Sequence, residues 1–234
     1  MFLAFRKQLF TPLTIRIRNT HNEYIITNEN DGTREIILNH EKTKNSLSIN
    51  MMSNLIQAIN ANKEDTSLRA IVLSAKGNVF SAGHQNQSSQ SGDYPEQTRR
   101  TFVTQIHNVA NFGIFCSTPG IPLARSVPKS RAMYMLLTGQ PINAKEAYES
   151  GLVTKVVPPE NLDEEVTKII DQIKLKSRSV ITLGKYFFYK QINFNIFDAY
   201  KLGQEIMINN TEMDDGQEGI RSFVEKRKAK WSHK

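Results

Sequence analysis

The chain has 234 residues, of which 39% are hydrophobic and 23% are charged, with a formal net charge of +7. This balance is typical of a globular protein and excludes an intrinsically disordered one. No run of about 18 uncharged apolar residues occurs, so we expect no membrane span. Cys116 is the single cysteine, which excludes an intrachain disulfide. Because no His-x-x-x-His or His/Asp cluster is present either, we expect no metal site.

The positive charge is concentrated at the two ends of the chain. Residues 1–20 carry +4 with no acidic residue, residues 225–234 carry another +4, and residues 21–224 together carry −1. A nucleic-acid-binding protein needs a basic stripe on its folded surface. The distribution therefore argues against a nucleic-acid partner.

The N-terminal segment combines positive charge, hydroxyl side chains and bulky apolar residues, and it contains no acidic residue up to Thr20. This composition is typical of a mitochondrial transit peptide, although a basic tail without a targeting role has the same composition. We favour the transit peptide and expect residues 1–22 to lie outside the fold.

The first part of the folded chain reads as a β-hairpin followed by a helix. Asp31-Gly32 separates the β-rich runs 24–27 and 34–38, which is a hairpin signal. Ser48 can cap a following helix. In that helix Met51, Leu55, Ile59 and the less certain Met52 recur at helical spacing and predict a core stripe.

A buried strand is predicted at 69–74, and the resulting β-α-β order favours a parallel strand pair. The remainder is mainly helical. Helices are predicted at 95–110, 120–126, 128–137, 143–150, 159–176, 179–191, 196–212 and 215–229, with a loop at 111–120 and one strand at 152–157. The sequence therefore predicts an α/β fold whose last third is helical.

A turn of small residues follows the strand at 69–74. Ser81, Ala82 and Gly83 precede His84 there, and small side chains let a ligand approach the backbone closely. An exposed backbone N–H at such a turn can bind a carbonyl oxygen that gains negative charge during a reaction. An ordinary tight turn after a strand has the same residues, so the pattern alone leaves both interpretations open.

Several separated motifs resemble one family when they are taken in their order along the chain. The motifs are Lys44-Asn45-Ser46-Leu47, Phe80-Ser81-Ala82-Gly83-His84, Gly113 to Gly120, Leu137 to Ala147, Gly151-Leu152-Val153, and Asp214 to Ile220 with Phe223 and Lys226-Arg227-Lys228. Over about residues 24–233 they are similar to the crotonase superfamily of enoyl-CoA hydratases and isomerases. The resemblance implies a β/α spiral core with a C-terminal helical region, a homotrimer or hexamer, and acyl-CoA or enoyl-CoA substrates with no further cofactor.

The resemblance also implies roles for individual residues. The backbone N–H of Ala82 corresponds to the first of two oxyanion-hole donors, with Gly83 and His84 beside the substrate. The coenzyme A channel would be lined by Lys44, Asn45, Ser46 and Leu47, and approached by Phe223 and Lys226. Lys44 and Lys226 read equally well as solvated surface charges, and a lone loop histidine such as His84 is more often a structural hydrogen-bonding group.

The chain departs from the family pattern between His84 and Gly113. Only 28 residues separate the two, whereas family members have several tens more, including a Gly-rich turn that supplies the second oxyanion donor. The catalytic glutamates of hydratases fall in or beside that region, and residues 97–145 contain no Asp or Glu. Gln85 also replaces the usual Asp. We therefore predict an internal deletion near 85–112.

These observations set the functional expectations. The domains are a transit segment at 1–22, an incomplete crotonase-like core at 23–157 and a helical oligomerisation region at 158–234. The protein would belong to mitochondrial matrix fatty-acid metabolism, with hydratase or isomerase activity weak or lost. The alternatives are a non-catalytic module that binds acyl-CoA or joins subunits, and a product that does not fold stably.

Overall fold

The computed structural model describes residues 22–82, 115 and 117–234, and the backbone alone at 3–5 and 20–21. The predicted helix at 95–110 and most of the predicted loop at 111–120 lie outside these residues. The strands are β1 (Leu3–Phe5), β2 (Thr20–His21), β3 (Ile25–Asn30), β4 (Thr33–Leu38) and β5 (Ala70–Ala75). The α-helices are α1 (Ile49–Asn60), α2 (Ser117–Ser126), α3 (Lys129–Thr138), α4 (Ala144–Glu149), α5 (Leu162–Lys174), α6 (Arg178–Gln191), α7 (Ile196–Glu212) and α8 (Asp214–Val224).

The strands form one sheet with the order β1-β5-β4-β3-β2. At its centre, β3 and β4 pair antiparallel through the predicted turn, where Asp31 (φ 45°) and Gly32 (φ 69°) are both left-handed. A two-residue hairpin loop favours such conformations because they match the twist of the strands. The predicted hairpin is confirmed.

Part of the N-terminal segment that we expected outside the fold pairs with this sheet. The backbone of β1 runs parallel to β5, with Leu3 opposite Leu73. The backbone of β2 runs antiparallel to β3, with Thr20 opposite Thr27. These two strands occupy the two edges of the described sheet.

Helix α1 begins as predicted, with the Ser48 hydroxyl accepting a hydrogen bond from the Met51 N–H. Met51 and Ala58 are buried on its inner face, and Leu55 packs beside them. The predicted stripe is wrong at Ile59, which is 44% exposed. The side chains at 51, 55 and 58 follow the i, i+4, i+7 spacing of one helix face, and Ala58 takes the place expected for Ile59.

Two hydrophobic clusters lie in a compact unit formed by Met1–Lys63 and Ile71–Thr167. The first joins the sheet to α1 and contains Ile25, Ile36, Leu38, Met51, Ala58, Ala75 and Phe80. The second joins α2, α3 and α4 and contains Leu123, Val127, Ala132, Met135, Leu136, Ile142 and Ala147. Each cluster buries apolar surface that the separate elements would otherwise expose to water.

The predicted strand at 152–157 is wrong. Those residues form turn and coil, and Leu152 and Val153 pack against the second cluster. Their N–H groups both donate to the Ala147 carbonyl, at 2.9 and 3.3 Å. These two N–H groups satisfy a carbonyl at the C-terminal end of α4. Residues 152–157 therefore follow the helix as its terminus and do not form a strand.

The predicted loop at 111–120 also ends early, because α2 already begins at Ser117. The helix predicted at 215–229 ends early as well, since α8 stops at Val224 and coil follows. No helix among the described residues is long and apolar enough to cross a membrane.

The second compact unit contains Glu64–Ala70 and Lys168–Lys234. Here α6 packs on α7 and α8. Helix α7 coincides with the predicted 196–212, and its cap, Asn195, accepts hydrogen bonds from the N–H groups of Phe197 and Asp198. A strong local cap signal fixed this boundary.

Asp215 holds the C-terminal tail against this unit. Its carboxylate, 1% exposed, accepts hydrogen bonds from the Ser177 hydroxyl (2.5 Å), the Ser232 N–H (2.6 Å) and the His233 N–H (3.0 Å). Burial alone raises the pKa of Asp215, but the hydrogen bonds from Ser177, Ser232 and His233 outweigh it and lower that pKa to about 2. The carboxylate is therefore a structural clasp as well as a charge in the first turn of α8.

We expect the stability of the second unit to depend on acid through Asp215. The folded pKa of about 2 lies below the ordinary 3.8, so the carboxylate stabilises the fold fully above about pH 4 and progressively less as pH falls towards 2. Asp215→Asn should lower the free energy of unfolding by about 1–3 kcal/mol at neutral pH. It should also flatten the loss of stability between about pH 4 and pH 2.

The measurement is urea unfolding followed by the fluorescence of Trp231, which is the single tryptophan and lies in the clasped tail. Asp214→Asn is the matched control, because Asp214 is exposed at the same helix end. It should cost no more than about 1 kcal/mol. An equal loss in the two variants would contradict the clasp.

Candidate functional site

The structure brings together two of the predicted site segments, Lys44–Leu47 and the turn that follows β5. The N–H of Ala82 donates to the carbonyl of Lys44 at 2.7 Å. Phe80, two residues earlier, is buried in the first hydrophobic cluster. The loop before α1 and the end of the β5 turn are therefore fixed against each other.

The buried side chain of Asn45 stabilises this arrangement. Its side chain is fully buried, and the amide nitrogen donates to the carbonyls of Lys76 (2.9 Å) and Val79 (3.0 Å). Its amide oxygen accepts from the N–H of His40 at 2.8 Å. These bonds join the loop before α1 to the turn after β5, so Asn45 positions the site.

The backbone at this point adopts an uncommon conformation. Lys44 (φ 52°) and Asn45 (φ 54°) are both left-handed. This region is costly for most residues, and Asn adopts it more easily because its short polar side chain can bond to nearby backbone. Burial of the Asn45 amide on two carbonyls compensates this cost and fixes the direction of the Lys44 carbonyl.

Ser46 and Leu47 complete the loop. The Ser46 hydroxyl donates to the Thr43 carbonyl at 2.6 Å. Leu47 packs against the first hydrophobic cluster. In the structure these side chains hold the loop in place, and their predicted contact with a coenzyme A channel stays a prediction.

The predicted oxyanion donor is occupied in this structure. Because the N–H of Ala82 already donates to the Lys44 carbonyl, a ligand carbonyl could use it only by exchanging with that bond. Gly83 and His84, the next residues of the motif, lie outside the described residues, as does the segment 85–112.

Phe223 and Lys226 belong to the second compact unit. Phe223 lies near the end of α8 and is 85% exposed. Lys226 is exposed beyond the helix in a left-handed conformation (φ 51°), and its N–H donates to the Phe223 carbonyl at 3.2 Å. Both residues are thus accessible, and their approach to a ligand stays a prediction.

Among the residues that the structure describes, no group of three His, Cys, Asp or Glu side chains is placed to hold a metal ion. The arrangement at Lys44–Leu47 and Ala82 combines backbone amides and carbonyls with the Ser46 hydroxyl, the Asn45 amide and the Lys44 ammonium group. It can orient polar backbone groups toward a ligand, and these five residues include no carboxylate or imidazole.

We expect Asn45→Asp to destabilise the site strongly. The change removes both N–H donors and places a carboxylate against the carbonyls of Lys76 and Val79, which should cost about 3 kcal/mol of unfolding free energy. Asn54→Asp is the control, because the Asn54 amide makes an exposed bond to Asn50 and should cost less than about 0.5 kcal/mol. Chemical denaturation followed by circular dichroism measures both. Equal effects would show that Asn45 is not the support we describe.

Comparison with known proteins shows the family of this chain. The family model described as "Enoyl-CoA hydratase/isomerase" matches residues 28–111 and 104–234. Enoyl-CoA hydratase domain-containing protein 3, mitochondrial, of Xenopus laevis is 37% identical over 257 residues, covering 91% of this chain and 87% of that protein. The human protein of the same name is 36% identical over 247 residues, covering 87% of this chain and 82% of that protein.

Solved structures agree with this assignment. The crystal structure of human enoyl coenzyme A hydratase domain-containing protein 3 has a TM-score of 0.79 and 32% identity, covering 89% of this chain and 100% of that one. An enoyl-CoA hydratase of Mycobacterium smegmatis has a TM-score of 0.79 and 28% identity, with coverage of 90% and 99%. The crotonase-like α/β fold implied by the sequence motifs is confirmed, and this chain belongs to the enoyl-CoA hydratase/isomerase family.

Proposed function

We propose that this chain is a mitochondrial protein of fatty-acid metabolism that binds acyl-CoA or enoyl-CoA thioesters and has weak or no hydratase activity. Membership of the enoyl-CoA hydratase/isomerase family over nearly the whole chain carries the proposal. Thioester binding follows from the family, and the reduced activity follows from a missing segment.

The two-part match to the family supports the missing segment. The first match ends at residue 111 and the second begins at residue 104, so the two overlap by a few residues. The family pattern is therefore matched in two pieces, and the break between them falls in this part of the chain. The alignment with the Xenopus laevis relative extends over 257 positions and includes 91% of this chain, which is about 213 residues. About 44 of the 257 aligned positions therefore have no counterpart here. We infer an internal deletion of that size near residues 85–112.

The consequence for catalysis is large. Loss of one oxyanion donor costs about 10²–10³ in rate, and each general acid or base contributes about 10²–10⁴. By resemblance the missing segment supplies the second donor, and residues 97–145 contain no Asp or Glu. The two losses together predict a rate at least about 10⁴-fold below that of a family enzyme that retains both.

The thioester would bind at the turn that follows β5, with the coenzyme A moiety along Lys44–Leu47. The proposed contacts are Lys44, Asn45, Ser46, Leu47, Ala82, Gly83, His84, Phe223 and Lys226. For Ala82 to hold the thioester oxygen, its N–H must leave the Lys44 carbonyl at 2.7 Å. That exchange leaves the Lys44 carbonyl in need of another donor, which weakens binding relative to a free amide.

The decisive test is the hydration of crotonyl-CoA by the purified chain, followed by loss of the absorbance of the conjugated thioester. We expect a rate at least about 10⁴-fold below that of a complete family enzyme, together with measurable binding of crotonyl-CoA by calorimetry. A rate within about tenfold of the complete enzyme would overturn the proposed loss of activity. Absence of any binding would overturn the thioester site.

Proline variants locate the donor. Ala82→Pro removes the N–H at 82, and His84→Pro removes the N–H two residues later. His84→Ala keeps its backbone N–H and serves as the control. If Ala82 is the donor, only Ala82→Pro should abolish crotonyl-CoA binding in a protein whose circular dichroism is unchanged. Loss of binding in His84→Pro alone would move the donor to residue 84.

A non-catalytic role in subunit association is the second candidate, because the second unit exposes large apolar side chains. In α7, Phe197 is 83% exposed and Tyr200 is 69% exposed, and on α8 Phe223 is 85% exposed. Exposed apolar surface on this scale is typical of an interaction face. We propose that it joins copies of this chain in a homotrimer or hexamer, as the family resemblance implies.

We expect Phe197→Glu to shift the protein towards monomer in light scattering coupled to size exclusion. The change places a charge in a face that association would bury. Lys201→Glu, on an exposed position of the same helix, is the control for added negative charge and should keep the assembly intact. An unchanged mass in Phe197→Glu would argue against this face as the interface.

We propose the mitochondrial matrix as the location, because residues 1–22 have the composition of a transit peptide and both relatives described above carry "mitochondrial" in their names. Fusion of residues 1–22 to a fluorescent reporter tests this directly. A mitochondrial signal is expected, and a diffuse cytosolic one would contradict it.

A further inference from the structure

One face of helix α6 lines a cavity of about 130 Å³ within the second unit. Arg178, Ile181, Thr182 and Lys185 follow the i, i+3, i+4, i+7 spacing that places side chains on one side of a helix. The other lining residues are Leu68, Arg69 and Ile173. The cavity is open to solvent at Lys185 and Thr182, both of which are exposed.

The charge of this lining is one-sided. Arg69, Arg178 and Lys185 are cationic, and none of the lining residues is acidic. Burial and the neighbouring charge of Arg178 lower the pKa of Arg69, while the charge of Asp215 raises it. The like charges therefore lie close enough to repel each other.

Asp215 is the negative group that faces this cluster. Its carboxylate already accepts hydrogen bonds from Ser177, Ser232 and His233, so it is committed to the C-terminal tail. His233 lies on the same side, with its Nε2 atom 3.4 Å from Nη1 of Arg69 and its Nδ1 atom accepting from the Arg178 N–H at 3.2 Å. The charge of Asp215 thus acts on Arg69 while its oxygens are bonded to the tail.

We propose that this cavity binds a single phosphate group. Arg and Lys side chains that converge on one space are the usual ligands of phosphate, and guanidinium groups bind its oxygens in pairs. Arg178 is also the first residue of the 14-residue helix α6, whose dipole favours an anion at that end. Leu68, Ile173 and Ile181 supply the apolar part of the lining.

The size of the cavity limits the ligand. Pockets for drug-sized molecules are about 300–1,000 Å³, so a cavity of about 130 Å³ takes one phosphate group and leaves any attached molecule outside. The group could be a free phosphate ion or the terminal phosphate of a larger metabolite such as coenzyme A. The site shares no residue with the proposed thioester site and does not depend on it.

The test titrates inorganic phosphate into the full chain by calorimetry, with sodium chloride used to keep the ionic strength constant. We expect saturable binding by the unaltered protein. In Lys185→Met the dissociation constant should rise about tenfold or more, because one charged contact is lost. Lys201→Met removes an exposed charge on α7 that does not line the cavity, so its dissociation constant should stay unchanged.

Arg178→Met is the second variant, and near-ultraviolet circular dichroism checks that both variants keep the native fold. Absence of saturable binding to the unaltered protein, or an equal loss in Lys185→Met and Lys201→Met, would overturn the site. Coenzyme A is then added to the phosphate complex. Displacement of phosphate that Lys185→Met abolishes identifies a phosphate on a larger molecule, and retention of phosphate identifies the free ion, so each result supports the site.

Discussion

The buried amide of Asn45 is the interaction on which the candidate site depends. Its side chain connects the backbone of His40, Lys76 and Val79, which belong to the loop before α1 and to the turn after β5. The Asn45 side chain is fully buried, and leaving its amide without these partners would cost about 1–3 kcal/mol. Since Ala82 follows this turn and donates to the Lys44 carbonyl, the direction of its N–H depends on the buried side chain of Asn45.

Three carboxylates among the described residues form hydrogen bonds that stabilise the fold. Glu146 caps α4 by accepting from the N–H of Asn143 at 2.9 Å. Glu29 accepts from buried Arg34, whose guanidinium also donates to the carbonyls at the end of α1. Asp215 clasps the C-terminal tail. These three carboxylates therefore serve the fold and are poor candidates for a general acid or base.

Local signals in the sequence predicted local structure well. Asp31-Gly32 predicted the hairpin, Ser48 predicted the start of α1, and the helix predicted at 196–212 coincides with α7. The predictions of secondary structure fail where contacts with distant residues determine the local conformation. Residues 152–157 have the composition of a strand, yet two of their N–H groups close the end of α4. Whether a β-branched run finds a strand or a helix terminus as its partner is decided by packing.

The same distinction applies to the site. The family resemblance assigned both Lys44–Leu47 and Ala82 to the substrate site. Nothing in the local pattern indicates that the buried Asn45 side chain bonds to carbonyls more than 30 residues away. Nor does it indicate that the Ala82 N–H is already bonded to Lys44. A residue of positive φ is suggested only by its type, since Asn tolerates that region better than most. The features of the site that the sequence could not predict therefore depend on hydrogen bonds between residues far apart in the chain.

The N-terminal strand exposes a conflict between two of the proposed properties. The backbone of Leu3–Phe5 runs parallel to β5 and covers its edge, whereas a transit peptide of residues 1–22 would be removed on import. An uncovered strand edge presents unpaired N–H and C=O groups, which other chains can join. If the proposed transit peptide is removed on import, β5 loses the strand that pairs with it in this structure. The edge left by that loss would favour the proposed association of subunits, in addition to the apolar side chains of the C-terminal helices. The proposed targeting role and the pairing with β5 would then exclude each other, because import would remove the strand that occupies this edge of the described sheet.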